Sequence, residues 1–243
     1  MNTSYTAYEE GFTGIQVLAR ATELLQDRTT CLFTLGGFGG NITVGFDHTI
    51  PNVPGEYDFK IYGNAYYDMY GTLLDKPGGN SEPGIVLVSK DTNGNGLPDD
   101  EWYELAGSEY NSPATIRNYE ITYYRPTPAD GDVKWKDNQG KEGYIYRNTY
   151  HTQGSYYPAW MPAEITFRGS RLADNSINEP RPGMPEHWVG YCYAWGYADT
   201  IRTYGYLIQD RLGVDKDGKP VHLDGIDFGE DLYSGQPELR LAG

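Results

Sequence analysis

The sequence predicts an all-β chain, an antiparallel β-sandwich of the jelly-roll kind with one N-terminal helix, and three observations predict it. Of 243 residues, 31 are glycine and 15 proline, so turn-forming residues recur throughout, while the charged share of 22% is ordinary for a folded protein. Aromatic residues reach 14%, and the 23 tyrosines favour strands where a helical bundle would need leucine-rich periodicity. Apolar and polar residues alternate in short runs between Gly, Pro, Asn and Asp clusters, the pattern of many short antiparallel strands.

Helical period occurs at 14–28, where Ile15, Leu18 and Leu25 recur at helical spacing and Thr13 stands in place to cap. The period then changes to two at Ile42, Val44 and Phe46. Further strands are expected at 57–62, 84–89, 102–105, 119–125, 133–136, 164–168 and around Trp195. Trp188, Tyr191, Tyr193, Trp195 and Tyr197, spaced by about two, read as a core strand. The stretch 170–190, rich in Asn, Pro and Gly, reads as a long surface loop or a crossing connection between sheets. Neither a low-complexity linker nor a fixed-period repeat divides the chain, so one domain spanning 1–243 is expected.

The net charge of −15 argues against nucleic acid or an anionic membrane as partner, because phosphate binding needs a cationic field. Cations and neutral ligands remain. With no run of 18 apolar residues, no transmembrane segment is expected, and the first residues have neither the basic start nor the apolar stretch of a signal peptide. Cys31 and Cys192 lack the spacing of a metal or redox motif and read as two buried small residues, although they could pair.

The strongest chemical signal is Asp91-Thr-Asn93-Gly-Asn95-Gly96-Leu97-Pro-Asp99-Asp100-Glu101. Oxygen-bearing side chains stand at loop positions 1, 3, 5 and 9, with glycine at 6 where a tight wrap must turn, and Leu97 falls where a backbone carbonyl serves. This is the chemistry of a hard cation with many oxygen ligands, and calcium is the expected cofactor. Trp102 occupies position 12, where a helix-loop-helix sensor has a bidentate Glu, so Asp100, Glu101 or Glu104 must close the shell. The expected ligands are thus Asp91, Asn93, Asn95, Leu97, Asp99, Asp100 and Glu104. The competing reading is a bare hairpin turn, since Asn-Gly occurs twice, but the crowded carboxylates would repel one another there. A weak loop of this kind fills at extracellular calcium levels, which places the protein outside the cell or on its outer surface.

The segment around His151, Gln153, Tyr156, Tyr157 and Trp160 concentrates aromatic faces and hydrogen-bonding tips without an aliphatic pattern. Aromatic faces stack on the C–H face of a pyranose while His and Gln fix hydroxyls, so a polysaccharide or another small neutral ligand is the expected partner. Half-buried strand residues with wet polar tips would give the same composition. No catalytic residue is identified. The four histidines have no zinc-ligand spacing, and there is neither a Gly-x-Ser-x-Gly elbow nor a phosphate-binding glycine loop. A carboxylate pair for glycoside hydrolysis could come from Glu82, Asp99, Glu104, Glu164 or Asp199, and a glycoside hydrolase is the alternative to a binding protein.

Several of these runs occur together in a recognisable order. They are 35–48 (Leu-Gly-Gly-Phe-Gly-Gly-Asn-Ile-Thr-Val-Gly-Phe-Asp-His), 55–65, 82–88, the calcium loop with Trp102-Tyr-Glu-Leu105, 119–126, His151 with 155–158, 169–172 and 195–199. In this order and content the chain resembles a family of secreted or lipid-anchored cell-surface proteins of Bacteroidetes. The resemblance implies a jelly-roll sandwich similar to calcium-bearing carbohydrate-binding modules, with Asn64, Glu82 and Asp199 near the metal end. It also implies genetic company with glycan or corrinoid uptake machinery, so a corrinoid-binding or scaffolding role is a further alternative. Residues 229–243 depart from the family's apolar close, and a back-translation read one nucleotide later restores strand-like alternation; a frame-shifted tail is therefore expected. The sequence thus predicts a calcium-stabilised cell-surface protein that binds a glycan through an aromatic patch.

Overall fold

Twelve strands and one helix form the regular structure of the described residues, and every strand pair is antiparallel. The computed structural model describes residues 11–25, 35–51, 59, 61, 65–67, 78–147, 154–199, 212–214 and 220–222. Cys31, Asn64, His151, Gln153, most of the strand expected at 57–62 and the tail 229–243 lie outside them. The all-β class with a single short helix is what the structure has. The chain divides into two compact units, one from Met1–Ile42 and Ile116–Arg171, the other from Thr43–Thr115 and Leu172–Gly243.

In the first unit, α1 (Gly14–Leu25) starts at a capping box. The Gln16 N–H donates to Thr13 Oγ1 at 3.4 Å while Thr13 N–H donates to Gln16 Oε1 at 2.9 Å, so two N–H groups at the helix start are satisfied reciprocally. The helix buries Ala21, whereas Ile15 and Leu18, the residues that announced its period, face solvent. The unit's sheet has the order β7-β6-β5-β8, built from β5 (Ile116–Tyr124), β6 (Val133–Asp137), β7 (Glu142–Ile145) and β8 (Glu164–Arg171). Alternation decides its faces: Tyr119, Ile121, Tyr123 and Val133 point into a core that Tyr157 completes, packed by Phe38, Trp135, Met161, Ile165 and Phe167. Phe38 meets Tyr119 edge-to-face at 4.9 Å. Burial and the neighbouring Tyr119 push the Tyr123 phenol up to about 12. The β6–β7 turn is closed by Asp137, whose Oδ1 accepts the N–H groups of Gln139 at 2.9 Å and Lys141 at 2.7 Å. Burial raises that carboxyl, but the Lys141 N–H, the Tyr119 hydroxyl and the Gln139 N–H outweigh it and hold the group below its ordinary range.

In the second unit a four-stranded sheet has the order β1-β2-β10-β9, from β1 (Tyr66–Tyr67), β2 (Gly78–Asn80), β9 (Ser176–Asn178) and β10 (Trp188–Tyr191). Two hairpins accompany it, β3 (Leu87–Ser89) with β4 (Trp102–Glu104), and β11 (Leu212–Val214) with β12 (Pro220–His222). Val86 and Leu105 form a small core with Phe59, Val88 and Ala198, and Val189 on β10 is fully buried.

Three expectations are corrected. Residues 42–46 form no strand: Ile42, Val44 and Phe46 are all exposed, and alternation without a pairing partner leaves the backbone irregular. The stretch 170–190 is not one long loop. It contains the end of β8 and the β9–β10 hairpin, which turns at Arg181-Pro182-Gly183-Met184, where Gly183 has φ +80° and Met184 N–H donates to Arg181 O at 2.8 Å. Proline followed by a left-handed glycine is the signature of a type II turn. The strand around Trp195 is absent; β10 ends at Tyr191, with Tyr191 and Tyr197 buried but Trp188 and Trp195 exposed, so the aromatic series is core only in part.

Candidate metal centre and ligand surface

Pairing of Ser89 with Trp102 makes residues 90–101 the connection of the β3–β4 hairpin. The Asn-Gly pairs do mark a hairpin, but its loop is folded inward on its own side chains. Asp91 Oδ1 accepts from the N–H of Gly94 at 2.7 Å and of Asn95 at 3.1 Å, and Oδ2 accepts from Gly96 N–H at 2.9 Å. Two further Asx turns follow, Asn95 N–H to Asn93 Oδ1 at 2.9 Å and Leu97 N–H to Asn95 Oδ1 at 2.8 Å. The wrap requires Gly94 and Gly96 at φ +71° and +72°, in the left-handed region that glycine enters without strain.

Asp99 closes the ring. The side-chain amides of Asn93 and Asn95 donate to its two oxygens at 3.2 and 3.0 Å, and those two bonds, Asn95 first, hold its carboxyl below the usual range. The side chains at 91, 93, 95 and 99 are therefore gathered into one small volume at the surface. Asp100 accepts from the Thr92 N–H at 3.3 Å and from the Thr92 hydroxyl, while Glu101 accepts the Tyr103 hydroxyl at 2.7 Å. Glu104 is half-buried opposite Leu87 on β4. Among the described residues no three His, Cys, Asp or Glu side chains converge as a metal cluster. A cation in this loop would depend on the amide oxygens of Asn93 and Asn95 and the Leu97 carbonyl beside the carboxylates. That donor set is all hard oxygen, which fits calcium and suits neither zinc nor a soft metal.

The aromatic segment is divided by the fold. Tyr157 is 5% exposed, its hydroxyl donates to Pro162 O at 2.6 Å, and Arg125 lies over its ring at 5.6 Å. It is a core residue with no free stacking face. Tyr156 is half-buried against the same core. Trp160 remains 42% exposed, with its indole beside Gly14 at the start of the helix. Of the carboxylates named for hydrolysis, Glu164 stands at the start of β8 in the first unit, and Glu82, Asp99, Glu104 and Asp199 belong to the second.

Sequence reasoning missed most of the polar contacts within the second unit, and of their carboxylates it names only Asp199. Glu179 is 3% exposed at its side chain; it accepts the Tyr191 hydroxyl and pairs with Arg181 at 3.5 Å. Asp199, at φ 55°, accepts Ala65 N–H at 2.9 Å through Oδ1 and the Ser81 hydroxyl at 3.1 Å through its carbonyl. Asn175 bridges the carbonyls of Ser81 and Tyr191, both at 2.9 Å. No local pattern signals these contacts, and apart from the Glu179–Arg181 pair they join residues 12 or more apart along the chain.

Cys192 is a free thiol whose pKa burial pushes up to about 11, assisted by Asp199 and opposed by a bond from Ser81. The thiol therefore stays protonated at neutral pH, the form that is the poorer nucleophile. Alkylation at pH 8 is expected to run about a hundredfold or more slower at Cys192 in the native protein than in urea, since an ordinary thiol ionises near 8.5. Peptide mapping, which separates it from Cys31, measures this; equal rates in the two states would show the thiol to be open.

No helix among the described residues is long and apolar enough to cross a membrane. The chain matches no protein-family model, and comparison with the curated proteins gave no match.

Proposed function

We propose that the protein is a calcium-stabilised, exported surface protein that binds a glycan. The observation that carries the reading is the ring of oxygen donors gathered from Asp91, Asn93, Asn95 and Asp99 by the hairpin's own hydrogen bonds. A bound calcium ion would supply charge to that loop, relieving the repulsion among carboxylates that otherwise depends on amide donors alone. Asp91, Asn93, Asn95, Leu97 and Asp99 would hold it, with Glu104 or Asp100 as the closing carboxylate. Export is part of this reading because a weak loop of this kind fills at extracellular calcium and stays empty in a cytosol. The resemblance to Bacteroidetes surface proteins supports the same location.

For the ligand, the support is a charge of −15 that disfavours polyanions and the exposed indole of Trp160 as a stacking face. The expected outcome with soluble and insoluble polysaccharides is retention of protein without release of sugar. Released sugar would make the protein a hydrolase.

Calcium is expected to raise thermal stability, because a ligand bound only by the native state adds RT ln(1 + [L]/Kd), about 2.7 kcal/mol at a hundredfold excess over Kd. Asp91→Ala should abolish the calcium-dependent shift, as it removes the acceptor of three loop N–H groups together with one ligand. A melting curve indifferent to both calcium and chelator overturns the metal assignment.

A further inference from the structure

The sheet of the first unit has a second face. The inward positions of β5 and β6 make the core, so Glu120, Thr122 and Tyr124 on β5, Lys134 and Lys136 on β6, Glu142 and Tyr144 on β7, and Glu164, Thr166 and Arg168 on β8 fall on the other side. Registered pairs set them in rows: Tyr144, Lys134, Tyr124 and Glu164 form one, and Glu142, Lys136, Thr122 and Thr166 the next. Tyr146 follows Tyr144 on the same side. The two rings lie 6.1 Å apart with planes tilted by 36°, and they are 47% and 67% exposed.

From this face we infer a second ligand surface, a platform for an extended neutral polysaccharide that stacks successive sugar rings on Tyr144 and Tyr146. Two features select that occupant. The first is charge. Lys134 and Lys136 both reach Glu142 at 3.3 Å and Arg168 reaches Glu120 at 2.6 Å, and Glu164 balances the remaining cation, so the face is neutral on a chain of net charge −15. A polyanion finds no net cationic field there, and a polycation would have to break the existing pairs, whereas a hydroxylated neutral chain exchanges hydrogen bonds with them at little cost. The second is shape and rigidity. Tilted, neighbouring phenol rings on one side of a strand present flat apolar area at roughly the advance of one sugar along an extended chain. Edge strand β7 is held down from beneath, because the Trp135 indole covers Gly143 so closely that a Cβ there would come within 2.8 Å of it.

The inference takes its ligand class from the glycan reading but rests on residues outside the Trp160 segment, which makes the two separable. The test is affinity electrophoresis of the whole chain through native gels containing neutral glucan, mannan or galactan, or polygalacturonate. The expected result is retardation by a neutral polymer. The Tyr144→Ala/Tyr146→Ala variant should weaken it by about tenfold or more, the level of interface anchors, and Trp160→Ala reports separately on the segment that carries the glycan reading. Tyr144→Phe/Tyr146→Phe should bind nearly as well as wild type, since ring area carries the contact, and an unchanged melting curve for the alanine variant excludes a folding defect. Because no net charge meets the ligand, raising salt should leave binding unchanged. Loss with Trp160→Ala and not with the tyrosine variant overturns this platform and leaves the glycan reading standing. Retardation only by polygalacturonate overturns the neutral class. No retardation by any polymer overturns both readings, and a dimer that the tyrosine variant dissolves in sedimentation would assign the face to a second copy of the chain.

Discussion

Replacing Glu179 by Ala is expected to lower the free energy of unfolding by about 3 kcal/mol or more, the usual cost of breaking a buried ion pair from one side. The carboxylate is 3% exposed and Arg181 13%, so neither partner is well solvated. Removing the acid takes away the carboxylate 3.5 Å from the Arg181 guanidinium and the acceptor of the Tyr191 hydroxyl. The damage falls at the β9–β10 hairpin, because Glu179 N–H also donates to His187 O at 2.7 Å just beyond the last registered pair, Trp188 with Asn178. Glu179→Gln keeps the volume and an acceptor for Tyr191 while losing the charge, and should cost about half as much. Tyr191→Phe leaves the ion pair intact and removes one hydrogen bond, a loss of about 1 to 3 kcal/mol. Denaturant unfolding of the three variants orders them; a Glu179→Ala midpoint close to wild type would show that the pair contributes specificity and not stability.

Elements that satisfy two levels of pattern at once were legible in the sequence. At 119–125 the alternation and the strand agree, and Tyr119, Ile121 and Tyr123 are buried in turn. Thr13 caps the helix start as its place in the sequence implies, and Gln16 completes the box. Where only one level was present, the reading failed. Ile42, Val44 and Phe46 alternate without acquiring a strand partner, and Ile15 and Leu18 mark a helical period without marking its buried side. β7 is not legible in the sequence because Glu142 and Gly143 disfavour a strand that Tyr144 and Ile145 alone favour, and Trp135 on the neighbouring strand covers the glycine. The β9–β10 hairpin was hidden by the Asn and Pro around it, although Pro182-Gly183 carried the turn signal.

The candidate site divides in the same way. The ladder from Asp91 to Asp99 is local, each bond spanning two to six residues, so its residue types and spacing could be read directly. Tyr156, Tyr157 and Trp160 look alike in sequence, but tertiary packing alone makes Tyr157 core and leaves Trp160 open. The outward row of Tyr144, Lys134 and Tyr124 exists only through strand register across three strands. No window along the chain contains it.

The glycine-rich run 35–40 supplies the second large expected effect. Gly39→Ala should destabilise the protein by about 3 kcal/mol, whereas Gly36→Ala should cost only about 1 kcal/mol, although both glycines sit in the left-handed region at φ +94° and +79°. The backbone term, about 1 to 2 kcal/mol for an L-residue held there, is common to both. The difference is in what a methyl group meets. At Gly36 it finds open space, and at Gly39 it would fall inside the Phe167 ring, which belongs to the first unit's core. Phe38, between them, packs edge-to-face on Tyr119 at 4.9 Å, so the loop cannot lift away from Phe167 without withdrawing an aromatic anchor from that core. A double-mutant cycle isolates the cause: in a Phe167→Ala background the ring is gone, and the additional cost of Gly39→Ala over Gly36→Ala should largely vanish. If the full penalty persists in that background, the backbone conformation and not the aromatic contact is what demands glycine at 39.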